Sequence, residues 1–104
     1  MRAFVVLTTT PDKKSARKIG EILVRRKLAA CVSIRDGFES VYRWKGRIER
    51  AAETILIIKT SKAKLPRLEK AIRANHPYEL PEVLAMEASG GSKDYLKWME
   101  NSLK

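Results

Sequence analysis

The sequence contains no glutamine, only two asparagines (Asn75 and Asn101), one cysteine and one histidine. The single cysteine, Cys31, excludes an intrachain disulfide, and secreted domains this small usually rely on several, so a reducing compartment is expected. No apolar run approaches the ~18 residues of a membrane-spanning helix. The apolar stretch Ala3 to Leu7 is too short for a signal peptide before it meets Thr8-Thr9-Thr10-Pro11, and the expected location is cytoplasmic. There is no glycine-rich phosphate loop, no nucleophile with a neighbouring base and no pair of acids at a catalytic spacing, so an enzyme is not expected.

What is abundant is positive charge: 22 Lys and Arg face 12 Asp and Glu, a formal net charge of +10. Such a balance attracts phosphates. The bases are dispersed, however, over one run from Lys13 to Lys27 and another from Lys59 to Arg73, as on the solvated faces of amphipathic helices. Lysine and glutamate abundance without glutamine is also the lean of heat-adapted proteins. On these grounds neither a nucleic acid nor a membrane is an expected partner.

With 104 residues the chain has room for one domain, residues 1–104, and one core. Arg2 to Thr10 is β-branched and apolar, which predicts a strand covered on both faces. Thr10-Pro11-Asp12 supplies a capping hydroxyl, a proline for the first helical position and an acid for the first turn. Ala16, Ile19, Gly20, Leu23, Val24 and Leu28 then recur at helical spacing. A long second strand from Leu28 to Trp44, bent at Asp36-Gly37, puts Phe38, Ser40, Tyr42 and Trp44 on one face. Lys45-Gly46 turns the chain into a returning strand through Thr60. Lys62 to Asn75 reads as the second helix, with Pro66 in its first turn. Two prolines stiffen His76 to Glu82, Val83 to Ala88 forms a fourth strand, and Ser92 caps a last helix carrying Tyr95, Leu96, Trp98, Met99 and Leu103.

This order predicts an α+β, ferredoxin-like β-α-β-β-α-β sandwich with a long β2-β3 hairpin and a C-terminal helix. Two helices cover one sheet face, and the other needs a cover, which self-association would supply.

Thr9-Thr10-Pro11-Asp12, Leu28-Ala29-Ala30-Cys31-Val32, Tyr42-Arg43-Trp44-Lys45-Gly46, Lys59-Thr60, His76-Pro77-Tyr78-Glu79-Leu80-Pro81-Glu82 and Tyr95-Leu96-Lys97-Trp98 resemble, in order and spacing, the motifs of the CutA divalent-cation-tolerance family. The resemblance covers nearly the whole chain. It implies a homotrimer with sheets packed edge to edge around a threefold axis, and a role in tolerance of copper and other divalent metals. It also implies an architecture similar to the PII signalling trimers, which opens a small-molecule-sensing role as an alternative. An RNA-binding ferredoxin-like module is a further alternative, although strand three lacks the aromatics on which such modules stack bases.

Candidate metal ligands are His76, Glu82 and Cys31. Imidazole suits copper or zinc, but a histidine before a proline also suits a helix C-terminus, and a lone cysteine in an apolar strand usually acts as a small hydrophobe. The resemblance sets a cysteine and a histidine pair as copper ligands at positions that here read Thr8 and Asn75-His76. Glu53, Glu79 and Asp94 offer further oxygens for harder cations. Trp44, Lys59, Tyr78, Tyr95 and Trp98 are the candidate lining of a ligand pocket between subunits.

Overall fold

The computed structural model describes all residues, Met1 to Lys104. Strand β1 (Ala3–Thr10) leads into helix α1 (Lys13–Arg25), and strands β2 (Cys31–Trp44) and β3 (Arg47–Ser61) form the hairpin. A 3-10 turn at Lys62–Lys64 opens helix α2 (Leu65–Asn75), followed by strand β4 (Leu84–Glu87) and helix α3 (Lys93–Ser102). The sheet order is β2-β3-β1-β4 with every neighbouring pair antiparallel, which is the expected split β-α-β topology.

Helix α1 begins two residues later than the hydroxyl at Thr10 predicts. Asp12 is its N-cap, accepting from the Ser15 backbone N–H at 2.8 Å, while the Thr10 hydroxyl donates to the Asp12 carbonyl at 2.7 Å. Two oxygens compete for the role, and the carboxylate wins because it also takes the Ser15 hydroxyl at 2.7 Å. The capping bonds hold the Asp12 carboxyl below its usual range.

The helix also ends earlier than its apolar spacing predicts. Lys27 adopts φ 57°, the Leu28 N–H returns to the Leu23 carbonyl at 2.9 Å and that of Lys27 to Val24 at 3.0 Å. This is a Schellman ending, with lysine where glycine is usual. Leu28 therefore reaches the core from beyond the helix, and Val24 faces solvent. Strand β2 accordingly starts at Cys31 rather than at Leu28.

The main core lies between the helices and one sheet face, where Val6, Leu56 and Ile58 meet Ala16, Ile19, Leu23, Leu68 and Ile72. Gly20 permits the close approach of α1, because a Cβ there would meet Val32 Cγ1 at 3.3 Å. On the other face, register aligns Cys31, Ser33 and Arg35 with Lys59, Ile57 and Ile55, then with Val5, Leu7 and Thr9. Helix α3 covers only one end of that face, through Met99 and Leu103 against Ala3 and Ala30. Ile57, Leu84 and Met86 stay 37%, 59% and 47% exposed.

The hairpin carries the predicted irregularity: register shifts between Arg35 and Phe38, with Gly37 at φ 82°. At its tip Lys45 and Gly46 have φ 50° and 79°, the signs of a type I′ turn. It stretches the molecule to 44 × 25 × 23 Å, with a radius of gyration of 14.2 Å, against about 13 Å for a compact chain of this length.

Candidate functional site

The segment after α2 has no regular backbone pairing, and one side chain ties it down. His76, at the C-cap position of α2, turns its ring away from the helix. Its Nδ1 accepts from the Tyr78 backbone N–H at 3.0 Å, and an Nε2–H donates to the Thr9 carbonyl at 2.7 Å. Nδ1 must keep its lone pair to accept, so this arrangement is that of a neutral imidazole. The ring also lies 4.9 Å from that of Tyr78. In this way His76 fastens the connector to the end of β1, and neither ring nitrogen is left over for a metal.

The fastening delivers Tyr78 to Glu53. Its hydroxyl donates to Glu53 Oε2 at 2.8 Å. Glu53 is 8% exposed and belongs to none of the ion pairs of the molecule. Burial, reinforced by Glu53, pushes the Tyr78 hydroxyl far above its usual range. Glu82 faces the same carboxylate, and its own carboxyl is raised, first by burial and then by the Glu53 charge. Around this pair a cleft of about 690 Å³ runs between the connector and the Ser40–Trp44 stretch of the hairpin. Tyr42 and Trp44 provide its aromatic wall, and Glu53, Glu79 and Glu82 outnumber Arg43 there. It is a locally acidic hollow in a strongly basic chain.

Of the five residues expected to line a pocket, the cleft brings together Trp44 and Tyr78. Lys59 lies six residues further along β3, about 20 Å away, where its Nζ donates to Ser33 Oγ at 2.8 Å. Tyr95 and Trp98 pack against each other on α3, ring centroids 5.4 Å apart, at the opposite end of the sheet. Within one subunit these five do not share a pocket.

The three expected metal ligands are also apart. Glu82 is in the cleft, His76 is spent on the backbone, and Cys31 sits half-buried on the open sheet face with Sγ 3.9 Å from Ser33 Oγ. No three His, Cys, Asp or Glu side chains gather around one ion-sized space. The residues of a single subunit thus do not fit a soft-metal site, and the only ligand types close to one another are carboxylates. Thr9 stands in a motif, but the use of its carbonyl by His76 has no local signature, and neither has the pairing of Tyr78 with Glu53. The latter joins residues 25 apart, and only the stiff His-Pro-Tyr stretch points to a held connector.

The split sheet, the overlong hairpin and a third helix laid across one end of the open face define a hairpin-extended chain of the ferredoxin-like class. Within that class, the chain belongs to the CutA1 divalent ion tolerance family, whose model matches residues 4–102. It is 43% identical to the chloroplastic protein CutA of Arabidopsis thaliana over 98% of this chain and 56% of that protein. The divalent-cation tolerance protein CutA of Thermus thermophilus is 40% identical over 94% of this chain and 95% of its own length. The chain thus spans little more than half of the plant relative but nearly all of the bacterial one. Among solved structures, CutA1 of Oryza sativa superimposes with a TM-score of 0.95 at 42% identity, covering 98% of this chain and 94% of that one.

Proposed function

We propose that the protein acts in tolerance of divalent metal ions as a cytoplasmic homotrimer, without catalytic turnover, and that the Glu53 cleft holds a cation or small ligand at a subunit boundary. One observation carries this reading: Glu53 is a buried carboxylate with a single hydroxyl donor and no cation. A largely buried carboxylate met by one neutral donor is a place where a charge or further donors would be favourable. A bound cation, or a cation delivered by a neighbouring copy, would supply what is missing.

Family membership supports the metal-tolerance role, and the exposed Ile57, Leu84 and Met86 support the trimer. On this reading, head-to-tail packing of copies would bring Lys59, Tyr95 and Trp98 of one subunit towards Trp44 and Tyr78 of the next. Carboxylates favour harder cations over Cu(I), so copper, where bound, is expected as Cu(II) and weakly.

Calorimetric titration with Cu(II) and Zn(II) in a non-coordinating buffer tests the reading. Saturable binding is expected, reduced at least tenfold in Glu53→Gln and by less in His76→Ala, which loosens the connector without removing a carboxylate. Equal binding by wild type and Glu53→Gln would remove the cleft from the mechanism. The aromatic wall of Tyr42 and Trp44 favours one second reading, a PII-like sensor of a small organic ligand, for which native mass spectrometry of protein from its source cells is the test. RNA recognition on the sheet has no such support, because the open faces of β1 and β3 present Val5, Leu7, Thr9, Ile55, Ile57 and Lys59 and no aromatic.

A further inference from the structure

The bases that lie dispersed over two runs of the sequence are brought together by the fold, which reverses the expectation drawn from their dispersal. Residues 13–27, which are α1 and its C-terminal turn, hold seven Lys or Arg against one Glu. Residues 62–75, the 3-10 turn and α2, hold five against one. These two segments therefore carry a net of ten positive charges, equal to the formal charge of the whole chain, and the rest balances ten bases against ten acids. Both helices pack on the same sheet face, sharing the core of Ala16, Ile19, Leu68 and Ile72, so their outer surfaces form one layer. All twelve bases are exposed except the half-buried Lys64.

Heat adaptation does not account for this layer. That pressure enriches both signs and weaves them into ion-pair networks, whereas here only two pairs form, Arg25–Glu21 at 3.7 Å and Arg73–Glu69 at 3.6 Å. The remaining cations repel one another, which weakens the compact state. A face that keeps such charge while the rest of the surface is neutral is suited to a polyanion. What else it carries selects the polyanion. Neither segment contains an aromatic residue, so there is nothing on which to stack unpaired bases. The one large exposed hydrophobic in the layer is Val24, so there is no apolar face to enter a bilayer. Helix α1 is about 20 Å long, a length of duplex axis that carries about a dozen phosphates.

We propose that the α1–α2 layer binds the phosphate backbone of double-stranded nucleic acid without reading its sequence. The contact is one of lysines and arginines with phosphate oxygens, driven by counterion release. It is separate from the cleft at Glu53 and does not depend on the function proposed for that cleft.

Fluorescence anisotropy with the full chain and a labelled duplex of arbitrary sequence tests this. Micromolar binding is expected at 50 mM KCl, weakening about 1,000-fold at 200 mM if six phosphates are contacted. The combined substitutions Lys14→Glu, Lys18→Glu and Lys70→Glu should weaken binding at least tenfold and flatten the salt dependence by about three counterions. Arg47→Glu, Lys93→Glu and Lys97→Glu make the same change of net charge off the layer and should stay within threefold of wild type. Should the first set fail to fold, Lys13→Glu, Arg17→Glu and Arg67→Glu carry the same test. Absence of binding at 50 mM KCl, equal losses in the on-layer and off-layer sets, or tighter retention on anionic phosphatidylserine vesicles than on the duplex would each overturn the proposal.

Discussion

His76 shows how one side chain can serve the architecture with the chemistry that would otherwise serve a metal. Its two ring nitrogens join the connector to β1 and position Tyr78 over Glu53. His76→Ala is expected to cost about 1 kcal/mol, because it leaves the half-buried Thr9 carbonyl and Tyr78 N–H without these partners. His76→Asn should recover part of the loss, since its Oδ1 can take the place of Nδ1 toward Tyr78; urea denaturation measures both. Tyr78→Phe removes the only donor to Glu53 and should cost a similar amount at neutral pH. Glu82 gives the site a pH signature. Its carboxyl is raised, so the folded chain holds that proton more tightly than the unfolded chain does. Its contribution is therefore favourable below the ordinary carboxyl range and is lost as pH rises through the raised value. Stability of Glu82→Gln should lack that decline, measured as denaturation midpoints between about pH 4 and pH 7. The effect is small because Glu82 keeps much of its surface in solvent.

Among the elements, helices and strands were legible where periodicity alone decides them, and misplaced where a backbone conformation decides. The apolar spacing of α1 runs on to Leu28, yet the helix stops at Arg25 because Lys27 takes a left-handed conformation that no lysine announces. The bulge and the hairpin turn were legible because Asp36-Gly37 and Lys45-Gly46 place glycine where positive φ is needed. Ser92 likewise caps α3 as read, accepting the Tyr95 N–H at 3.2 Å. The cleft was half legible. Trp44, Tyr78 and Glu82 stand in a recognisable motif, and Glu53 and Glu79 were legible as carboxylates able to meet a harder cation, but the burial of Glu53 in β3 and its bond to Tyr78 depend on the connector folding over it. The left-handed lysine is testable in its own right. Lys27→Gly should stabilise the chain by about 1 kcal/mol, since it removes the Cβ strain at φ 57°. Gly46→Ala should destabilise it by about 1–2 kcal/mol at φ 79°. Thermal denaturation of both variants decides, and a loss in Lys27→Gly would mean that the lysine side chain contributes more than its backbone strain costs.

At the scale of the molecule, the two sheet faces divide the work between folding and assembly. The helix-covered face holds the main core, and the opposite face leaves Ile57 and Met86 open, flanked by the unpaired edges of β2 and β4. Two free edges on opposite sides of one sheet are self-complementary in a head-to-tail sense, and a head-to-tail contact closes into a ring when its rotation allows. The strand lengths differ, 14 residues in β2 against four in β4, so a β4 edge paired with a neighbour's β2 would occupy only part of it and leave the outer hairpin free to reach across that neighbour. That hairpin is also where Phe38, Val41, Tyr42 and Ile48 are exposed. Burial of these side chains between copies would contribute about 25 cal/mol for each Å² removed from water, and would close the Glu53 cleft at a subunit boundary. Sedimentation equilibrium should give three times the 11.8 kDa chain mass for wild type. Ile57→Glu, which places a charge on the open face while its helix-facing neighbours Leu56 and Ile58 stay intact, should shift that equilibrium toward the single chain by at least tenfold. A wild-type protein that sediments as a single chain at micromolar concentration would leave the open face without its cover and refute the trimer.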